Sequence, residues 1–335
     1  MTIRIPFWQP STNSIDAEIG LCSVVRANLP NEGPLTKRWE EEIAQLCGAK
    51  YAVATTSGTA ALFLALKSLD LPEHSWVKVP DCTFIATANV VRLAGSLVQL
   101  VDVSTNLLIP SNTYPPFIPV HVSGRMVKNE ASVEDACEAF PCQVGMGITC
   151  FSFSPNKIIT TGQGGAAVTN DYQLYLKMKQ LKDQGRLTST GGEDVHPCMG
   201  WNFKFTDLQA ALGLAQLKEL DGRIKRLKRN SAIYHNELGN EIGIHLYHAG
   251  DIPLWTDAYC EQRDGLLAYL EQQGIQCRKY WRPLHQQPPY LRDDTSFPVS
   301  SRLMPKSFWL SSGYTLSDRQ VLEVCKHVKD FLRGN

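Results

Sequence analysis

The sequence predicts an α/β protein with a mostly parallel central sheet flanked by helices and a smaller C-terminal α+β domain. Two observations carry this prediction. Short apolar runs typical of buried strands alternate with helical segments through about residue 170, and longer helical stretches dominate beyond residue 200. A chain of 335 residues exceeds the usual size of a single hydrophobic core. We therefore predict a large domain over residues 1–225 and a small domain over residues 226–335.

The composition is that of an ordinary globular protein. Lys plus Arg and Asp plus Glu are equal at 33 each, so there is no net charge to attract nucleic acid or a membrane surface. The chain has no apolar run long enough to span a bilayer and no signal-peptide core at its amino terminus. Its ten cysteines include no Cys-x-x-Cys pair, which argues against a disulfide framework and a zinc site. We expect a cytoplasmic protein with reduced thiols and no metal.

The first candidate site follows a short buried strand. Helical spacing predicts helices over residues 15–27 and 35–47, and residues 51–55 (YAVAT) have the pattern of a strand. Ser-Gly-Thr at residues 57–59 then leads into a strongly apolar helix. Such a turn presents free N–H groups and hydroxyls at the positive end of a helix, where a phosphate can bind. Taken alone, the same residues are more often a simple N-cap.

Further strands and helices alternate after this helix. Residues 77–80 are predicted as a strand, and Phe84 lies where the chain turns into the next helix, so its ring could face either a ligand or the core. Residues 97–103 and 117–122 are further strand candidates. The segment between them, TNLLIPSNTYPP, is rich in turn residues and is not expected to form a helix.

An acidic pair ends the next predicted strand. Residues 131–135 finish with Glu134 and Asp135. Ligands of α/β sheets bind at the carboxyl ends of the strands, so an aspartate there could balance a cationic ring nitrogen. A helix N-cap is the alternative role for this aspartate.

A single lysine stands in the segment CFSFSPNKIITTGQGG at residues 150–165. Lys157 is followed by two isoleucines, and an amine in partly apolar surroundings loses some of its charge and becomes a nucleophile toward a carbonyl. The glycines after it allow tight turns and close backbone approach. Without other signals, such a lysine would more often be an ordinary surface residue.

The remaining chain is predicted to be mostly helical. Its predicted elements are a helix at 171–181, a mobile polar loop at 184–199, one long helix at 206–238, a helix at 262–273, an edge strand at 275–278, an extended loop at 280–291 that could face a site, and a helix at 317–333.

Three features now occur in one order along the chain. A phosphate anchor at residues 57–59, a counter-charge at Asp135 and an imine-forming amine at Lys157 are what pyridoxal 5′-phosphate (PLP) requires of a protein. Each feature is weak alone, and together they favour a PLP site over other interpretations.

From about residue 35 onward, the chain resembles the DegT/DnrJ/EryC1/StrS family of PLP-dependent sugar aminotransferases. The resemblance implies the PLP-dependent transferase fold of type I, the aspartate aminotransferase-like fold. The matching segments are SGTAAL (57–62), TFIATAN (83–89), VDV (101–103), PVHVSG (119–124), EDACEA (134–139), SFSPNK (152–157), TTGQGG (160–165) and GWNFKFTDLQAALGLAQL (200–217).

The resemblance assigns the chemistry to three residues. It implies that Lys157 binds the cofactor covalently and that Asp135 is the partner of its pyridine nitrogen. Glu138 falls near the cofactor's phenolic oxygen, at a position where many members have glutamine and some have glutamate.

Five further residues are implied in cofactor binding. Gly58, Thr59 and Ser152 would hold the phosphate, and Phe84 would stack on the ring. Asn202 would reach across a homodimer interface to the phosphate held by the neighbouring subunit.

The family resemblance also implies the reaction. Glutamate or glutamine would donate an amino group to a keto sugar, expected to be a nucleotide-linked 4-keto- or 3-keto-deoxysugar for cell-surface glycan or natural-product biosynthesis. Two alternatives remain at this stage: a PLP-dependent sugar dehydratase, and a non-catalytic PLP-binding regulator. Dehydratase relatives generally carry histidine where Lys157 stands. The only sequence support for the regulator is the missing helix after VDV, and the intact lysine, aspartate and phosphate-binding residues argue against it. The segments at 124–131 and 140–149 are also abbreviated, which predicts a more open substrate mouth.

Overall fold

The computed structural model describes residues 2–128, 130–187 and 194–334. The predicted loop at 184–199 therefore lies partly outside the described residues. The helices within these ranges are α1 (Ile15–Ala27), α2 (Pro34–Leu46), α3 (Gly58–Ser68), α4 (Ala86–Leu93), α5 (Tyr172–Lys182), α6 (Asp207–Leu217), α7 (Leu220–Leu238), α8 (Arg263–Gln272), α9 (Pro298–Leu303) and α10 (Asp318–Gly334). The strands are β1 (Tyr51–Thr55), β2 (Trp76–Pro80), β3 (Leu97–Val101), β4 (Val133–Asp135), β5 (Ile148–Ser152), β6 (Gly165–Thr169), β7 (Gly243–Ile244), β8 (Asp257–Tyr259), β9 (Arg278–Lys279) and β10 (Ser307–Trp309).

The central sheet is mixed but mostly parallel. Strands pair in the order β1-β6-β5-β4, and β2 pairs with β3 in parallel. Two parallel bridges join these groups, because Phe117 pairs with Lys78 of β2 and Val120 pairs with Asp135 of β4. Only β6 runs antiparallel to its neighbours among the described strands of this sheet. The predicted α/β fold with a mostly parallel sheet is confirmed.

Helix α3 is buried on nearly all sides. It packs against β5 and β6 on the sheet and against helices α4 and α5. Leu62, Leu64 and Leu66 are almost inaccessible to solvent. Burying each such side chain contributes about 1.5–3 kcal/mol, which fixes the helix against the sheet. As a result, the amino end of α3 lies at a fixed position beside the carboxyl ends of the strands.

The C-terminal part forms a separate antiparallel sheet. Its strands pair in the order β7-β8-β10-β9, with β9 at an edge, and helices α7, α8 and α10 form its apolar core together with the sheet. The chain start joins this unit, because Ile5 forms a bridge with Ile275 and Arg4 pairs with Glu323 at 2.7 Å. The domain division at residue 225 stays a prediction, and α7 runs through that position.

Two predicted elements differ from the structure, and two strands were not predicted. The single long helix predicted at 206–238 is two helices, α6 and α7, because α6 packs on α1 and α2 whereas α7 packs on α10. The strand predicted at 117–122 forms only isolated bridges. Strands β5 and β6 were not predicted. β6 (GAAVT) is built largely from small residues of weak strand propensity, whereas β5 (ITCFS) contains strand-favouring residues and was missed.

No helix in the described part of the chain is long and apolar enough to cross a membrane.

Candidate active site

A cavity of about 280 Å³ opens where the carboxyl ends of the parallel strands meet the C-terminal sheet. Seven of the eight predicted site residues line it: Gly58, Thr59, Phe84, Asp135, Glu138, Ser152 and Lys157. The fold therefore brings together residues that lie up to about a hundred positions apart in the sequence.

One end of the cavity is the first turn of α3. Ser57 caps the helix, because its hydroxyl accepts a hydrogen bond from the N–H of Ala60 at 3.1 Å. A Cβ atom at Gly58 would lie 2.7 Å from both the Cys137 sulfur and the Ser152 Cβ, so a residue without a side chain is required there. The first N–H groups of a helix have no intrahelical acceptor and attract anions. This end of the cavity has the donors and the space that a phosphate needs.

Asp135 ends β4 and is only 5% exposed. The hydroxyl of Thr87 donates a hydrogen bond to its Oδ2 at 2.7 Å, and the N–H of Cys137 donates to its Oδ1 at 3.1 Å. These two donors fix the orientation of the carboxylate. The aspartate is held by α4 and β4 and does not cap a helix.

The amine of Lys157 lies inside the cavity. Its Nζ is 3.4 Å from Oε1 of Glu138 and 5.2 Å from the centre of the Trp255 ring, and its side chain is 11% exposed. The aromatic face and the carboxyl group both contact the amine and fix its position in the cavity. Lys157 is thus a partly buried, paired lysine rather than an ordinary surface residue.

The loop that carries Lys157 is closed by its own hydrogen bonds. The N–H of Phe153 donates to the carbonyl of Gly164 at 2.9 Å, and the N–H of Thr161 donates to the carbonyl of Phe153 at 3.0 Å. Gly162 has a φ of +78°, a conformation that favours glycine. The glycine-rich sequence after the lysine therefore turns the chain back, so that the end of the loop pairs with Phe153 at its beginning.

Glu138 is buried beside the lysine. The N–H of Ser123 donates a hydrogen bond to its Oε2 at 2.9 Å. Burial raises the pKa of the Glu138 carboxyl above 4.5, and the nearby Lys157 opposes this increase. The carboxyl therefore retains a proton more readily than an exposed glutamate does.

The wall opposite α3 comes from the C-terminal part of the chain. Trp255, Arg278 and Trp281 line it, and the Trp281 ring lies 6.4 Å from that of Phe84. Phe84 is 54% exposed, so its ring faces the cavity mouth rather than the core. Trp281 belongs to the segment predicted to face a site, whereas neither Trp255 nor Arg278 was predicted. No local motif marks these two residues.

Asn202 is exposed and does not line the cavity of its own chain. Its backbone pairs with Asp183 in an isolated bridge ahead of α6. The predicted contact with a neighbouring subunit stays a prediction.

The sequence model of the DegT/DnrJ/EryC1/StrS aminotransferase family matches residues 18–113 and 118–329. The chain belongs to this family. Members of the family are PLP-dependent aminotransferases, so the predicted enzyme class and cofactor are confirmed.

Curated relatives match along most of the chain. It is 28% identical to the GDP-perosamine synthase of Escherichia coli O157:H7, with 98% of each chain covered. It is 32% identical to the GDP-perosamine synthase of Caulobacter vibrioides, with 77% of this chain and 79% of the relative covered.

Solved structures share the fold. The putative sugar aminotransferase Spr1654 of Streptococcus pneumoniae, in its PMP form, matches with a TM-score of 0.91 at 20% identity, covering 99% of this chain and 100% of that one. DesV of S. venezuelae, in complex with a ketimine intermediate, matches with a TM-score of 0.91 at 24% identity over 99% of each chain. At these identities the likeness confirms the fold class.

Proposed function

We propose that this aminotransferase moves an amino group from glutamate or glutamine to a nucleotide-linked keto sugar. The observation that carries the proposal is the convergence of Lys157, Asp135 and the first turn of α3 on one cavity. The relatives named GDP-perosamine synthases support a sugar nucleotide as acceptor and make GDP-linked keto sugars the first candidates. The product would serve glycan or natural-product biosynthesis.

The cavity has a complementary group for each part of PLP. Gly58, Thr59 and Ser152 would hold the phosphate at the amino end of α3, where a side chain at position 58 would collide with Cys137 and Ser152. Asp135 would bind the ring nitrogen, and Phe84 would contact the ring. Bound PLP supplies an electron sink and carries the amino group between the two substrates.

Lys157 would move the proton that the reaction requires. Its Nζ is held near Glu138 and over Trp255, so the amine has a fixed position from which to act as general acid and base. Glu138, whose pKa is raised by burial, would donate or accept a hydrogen bond beside the cofactor. Asp135 would keep the ring nitrogen protonated by its negative charge.

The functional unit would be a cytoplasmic homodimer. The support for the dimer is Asn202, an exposed asparagine outside its own chain's cavity that would complete the phosphate site of the other subunit.

A substrate panel tests the proposal. Purified enzyme with PLP and either glutamate or glutamine would be incubated with GDP-, UDP- and dTDP-linked keto sugars, and products would be identified by mass spectrometry. We expect an aminated sugar from at least one donor–acceptor pair, and Lys157→Ala protein as the matched control should form none. If glutamate alters the cofactor absorbance but every keto sugar fails to restore it, the sugar acceptor is wrong.

A further inference from the structure

Arg278 is a cation on the cavity wall that has no role in the proposed binding of PLP or in the proposed proton transfer. The cavity lining contains only two cations among the described residues, Lys157 and Arg278. Lys157 is paired with Glu138, and the other lining acid, Asp135, lies at the end of β4. Arg278 enters from the opposite side, on β9 of the C-terminal sheet.

The guanidinium of Arg278 has no carboxylate partner in the part of the chain that the structure describes. It lies over the ring of Trp309, at 5.9 Å from the ring centre. The next residue, Lys279, points to the other side of the strand and pairs with Asp264 at 2.9 Å. Stacking on an aromatic face orients a guanidinium but leaves its N–H donors available. Arg278 is thus positioned without being neutralised.

The charge inside the cavity explains why such a cation would be needed. The Asp135 carboxylate and a bound cofactor phosphate contribute negative charge, and the amine of Lys157 is already paired with Glu138. An amino-acid donor and a sugar nucleotide both carry anionic oxygens. Without Arg278, these groups would enter a cavity of net negative charge, which disfavours binding.

We propose that Arg278 is the substrate-anion subsite of this enzyme and binds the anionic oxygens that its substrates present. The inference rests on the proposed function. Two sources share this chemistry: the carboxylate of the amino donor and the diphosphate of the sugar nucleotide. A planar guanidinium binds either group through paired N–H donors. The rings of Trp281 and Phe84 beside it supply apolar faces for the rest of the substrate.

Three variants of the PLP-bound enzyme test the subsite. Arg278→Met removes the charge but keeps a long apolar side chain against Trp309, and Arg278→Lys keeps the charge without the planar donors. Lys279→Ala is the matched control, because it removes a neighbouring positive charge outside the cavity. Circular dichroism and the absorbance of bound cofactor confirm that each variant folds and binds PLP.

Two separate measurements distinguish the sources. In the first, glutamate alone is mixed with each enzyme, and the concentration dependence of the cofactor absorbance change is recorded. In the second, quenching of tryptophan fluorescence by GDP, UDP and dTDP reports binding beside Trp255 and Trp281. Loss of a charge-assisted hydrogen bond should weaken binding by about tenfold to a hundredfold in Arg278→Met. Arg278→Lys should lie between this variant and the wild type, and Lys279→Ala should equal the wild type.

An effect on glutamate alone assigns the carboxylate, and an effect on the nucleotides alone assigns the diphosphate. An effect on both means that the two substrates use Arg278 in turn. If Arg278→Met binds glutamate and the nucleotides as tightly as the wild type does, the assignment of Arg278 as the anion subsite is wrong. Because the glutamate measurement needs no keto sugar, failure of the substrate panel would reject the proposed acceptor without affecting this test.

Discussion

The hydroxyl of Thr87 donates a hydrogen bond to the carboxylate of Asp135 across 2.7 Å, and this contact joins α4 to the end of β4. The Thr87 hydroxyl also lies 3.0 Å from that of Thr83, one residue before Phe84. The orientation of the buried carboxylate and the path of the chain at the cavity wall are therefore set by the same small group of hydroxyls. Thr87 acts on the site through Asp135, so it is a positioning residue.

We expect Asp135→Asn to reduce transamination by orders of magnitude, because the amide keeps the shape but loses the charge that would hold the ring nitrogen protonated. Cofactor binding should weaken only moderately. Thr87→Val should give a smaller loss, about tenfold, because the charge remains but one hydrogen bond is lost. Steady-state kcat and PLP titrations measure both effects. A normal rate with lowered thermal stability in Asp135→Asn would assign the aspartate a structural role instead.

Lys157→Ala should abolish turnover and leave the fold intact. The purified wild type should absorb in the visible region through its covalently bound cofactor and lose this band on treatment with borohydride, and the variant should lack it. Lys157→Arg is the matched control, because arginine keeps a positive charge near Glu138 and over Trp255. It should fold like the wild type but remain inactive. Normal steady-state turnover by Lys157→Ala would exclude the assignment.

The predictable parts of the site are those that short sequence segments specify. The turn before α3, the acid that ends β4 and the lysine before the glycine-rich loop are each specified by local backbone chemistry, and their order along the chain indicated PLP. The structure adds the wall formed by Trp255 and Arg278. Their position depends on how the C-terminal sheet packs against the large domain, which no local pattern specifies. For the same reason, the break between α6 and α7 follows from packing on different partners.

His285 connects the two sides of the cavity outside its lining. The ring is fully buried, with Nδ1 2.6 Å from Asp81 and Nε2 2.7 Å from Asp294, and it stacks on Phe297 at 4.5 Å. Asp81 follows β2 three residues before Phe84, and His285 follows Trp281 by four residues. This contact therefore sets the spacing between two aromatic residues of the cavity.

We expect His285→Ala to lower the free energy of unfolding by about 1–3 kcal/mol, because it removes one of three hydrogen bonds to the buried Asp81, which keeps those from the Ser300 hydroxyl and from the backbone N–H at position 285. Asp294→Asn is the comparison, since Asp294 is 65% exposed on its side chain and the loss of its charge should change stability much less. Urea unfolding of both variants measures the difference. Equal losses in the two variants would mean that the buried contact with Asp81 contributes no more to stability than the exposed contact with Asp294.

We expect the stability of the protein to depend on pH through His245. Burial lowers the pKa of His245 to about 3, with a smaller contribution from the positive charge of Arg125. In the unfolded chain its pKa is about 6.5, so below that pH the unfolded state binds the extra proton and stability falls as the pH falls. We expect a loss of up to about 1.4 kcal/mol per pH unit from this residue between pH 6.5 and pH 3.

His245→Phe should flatten this dependence, because phenylalanine keeps a ring against Tyr259 and does not titrate. Denaturant unfolding at several pH values between 4 and 7 would measure the slopes for the wild type, for this variant and for a control with the exposed His248 changed to Asn. Identical slopes for His245→Phe and the wild type would contradict the assignment.

Asn202 is exposed and does not line the cavity of its own chain. If it donates a hydrogen bond to the phosphate held by Gly58, Thr59 and Ser152 of a second subunit, Asn202→Ala should weaken PLP binding. A charge-assisted bond of about 1.5–3 kcal/mol corresponds to about tenfold to a hundredfold in affinity. PLP should also stabilise the dimer by mass action, which sedimentation with and without cofactor measures.

Mixing two defective variants decides whether the site is shared. Lys157→Ala and Asn202→Ala proteins would be dissociated, mixed and reassociated, then assayed at a PLP concentration between the affinities of the wild type and of Asn202→Ala. In a mixed dimer one site carries both changes, and the other combines an intact Lys157 from one chain with an intact Asn202 from its partner. Activity should therefore reappear in the mixture and not in either variant treated alone. A mixture that stays inactive, or an active monomer in sedimentation, would show that Asn202 does not act across an interface.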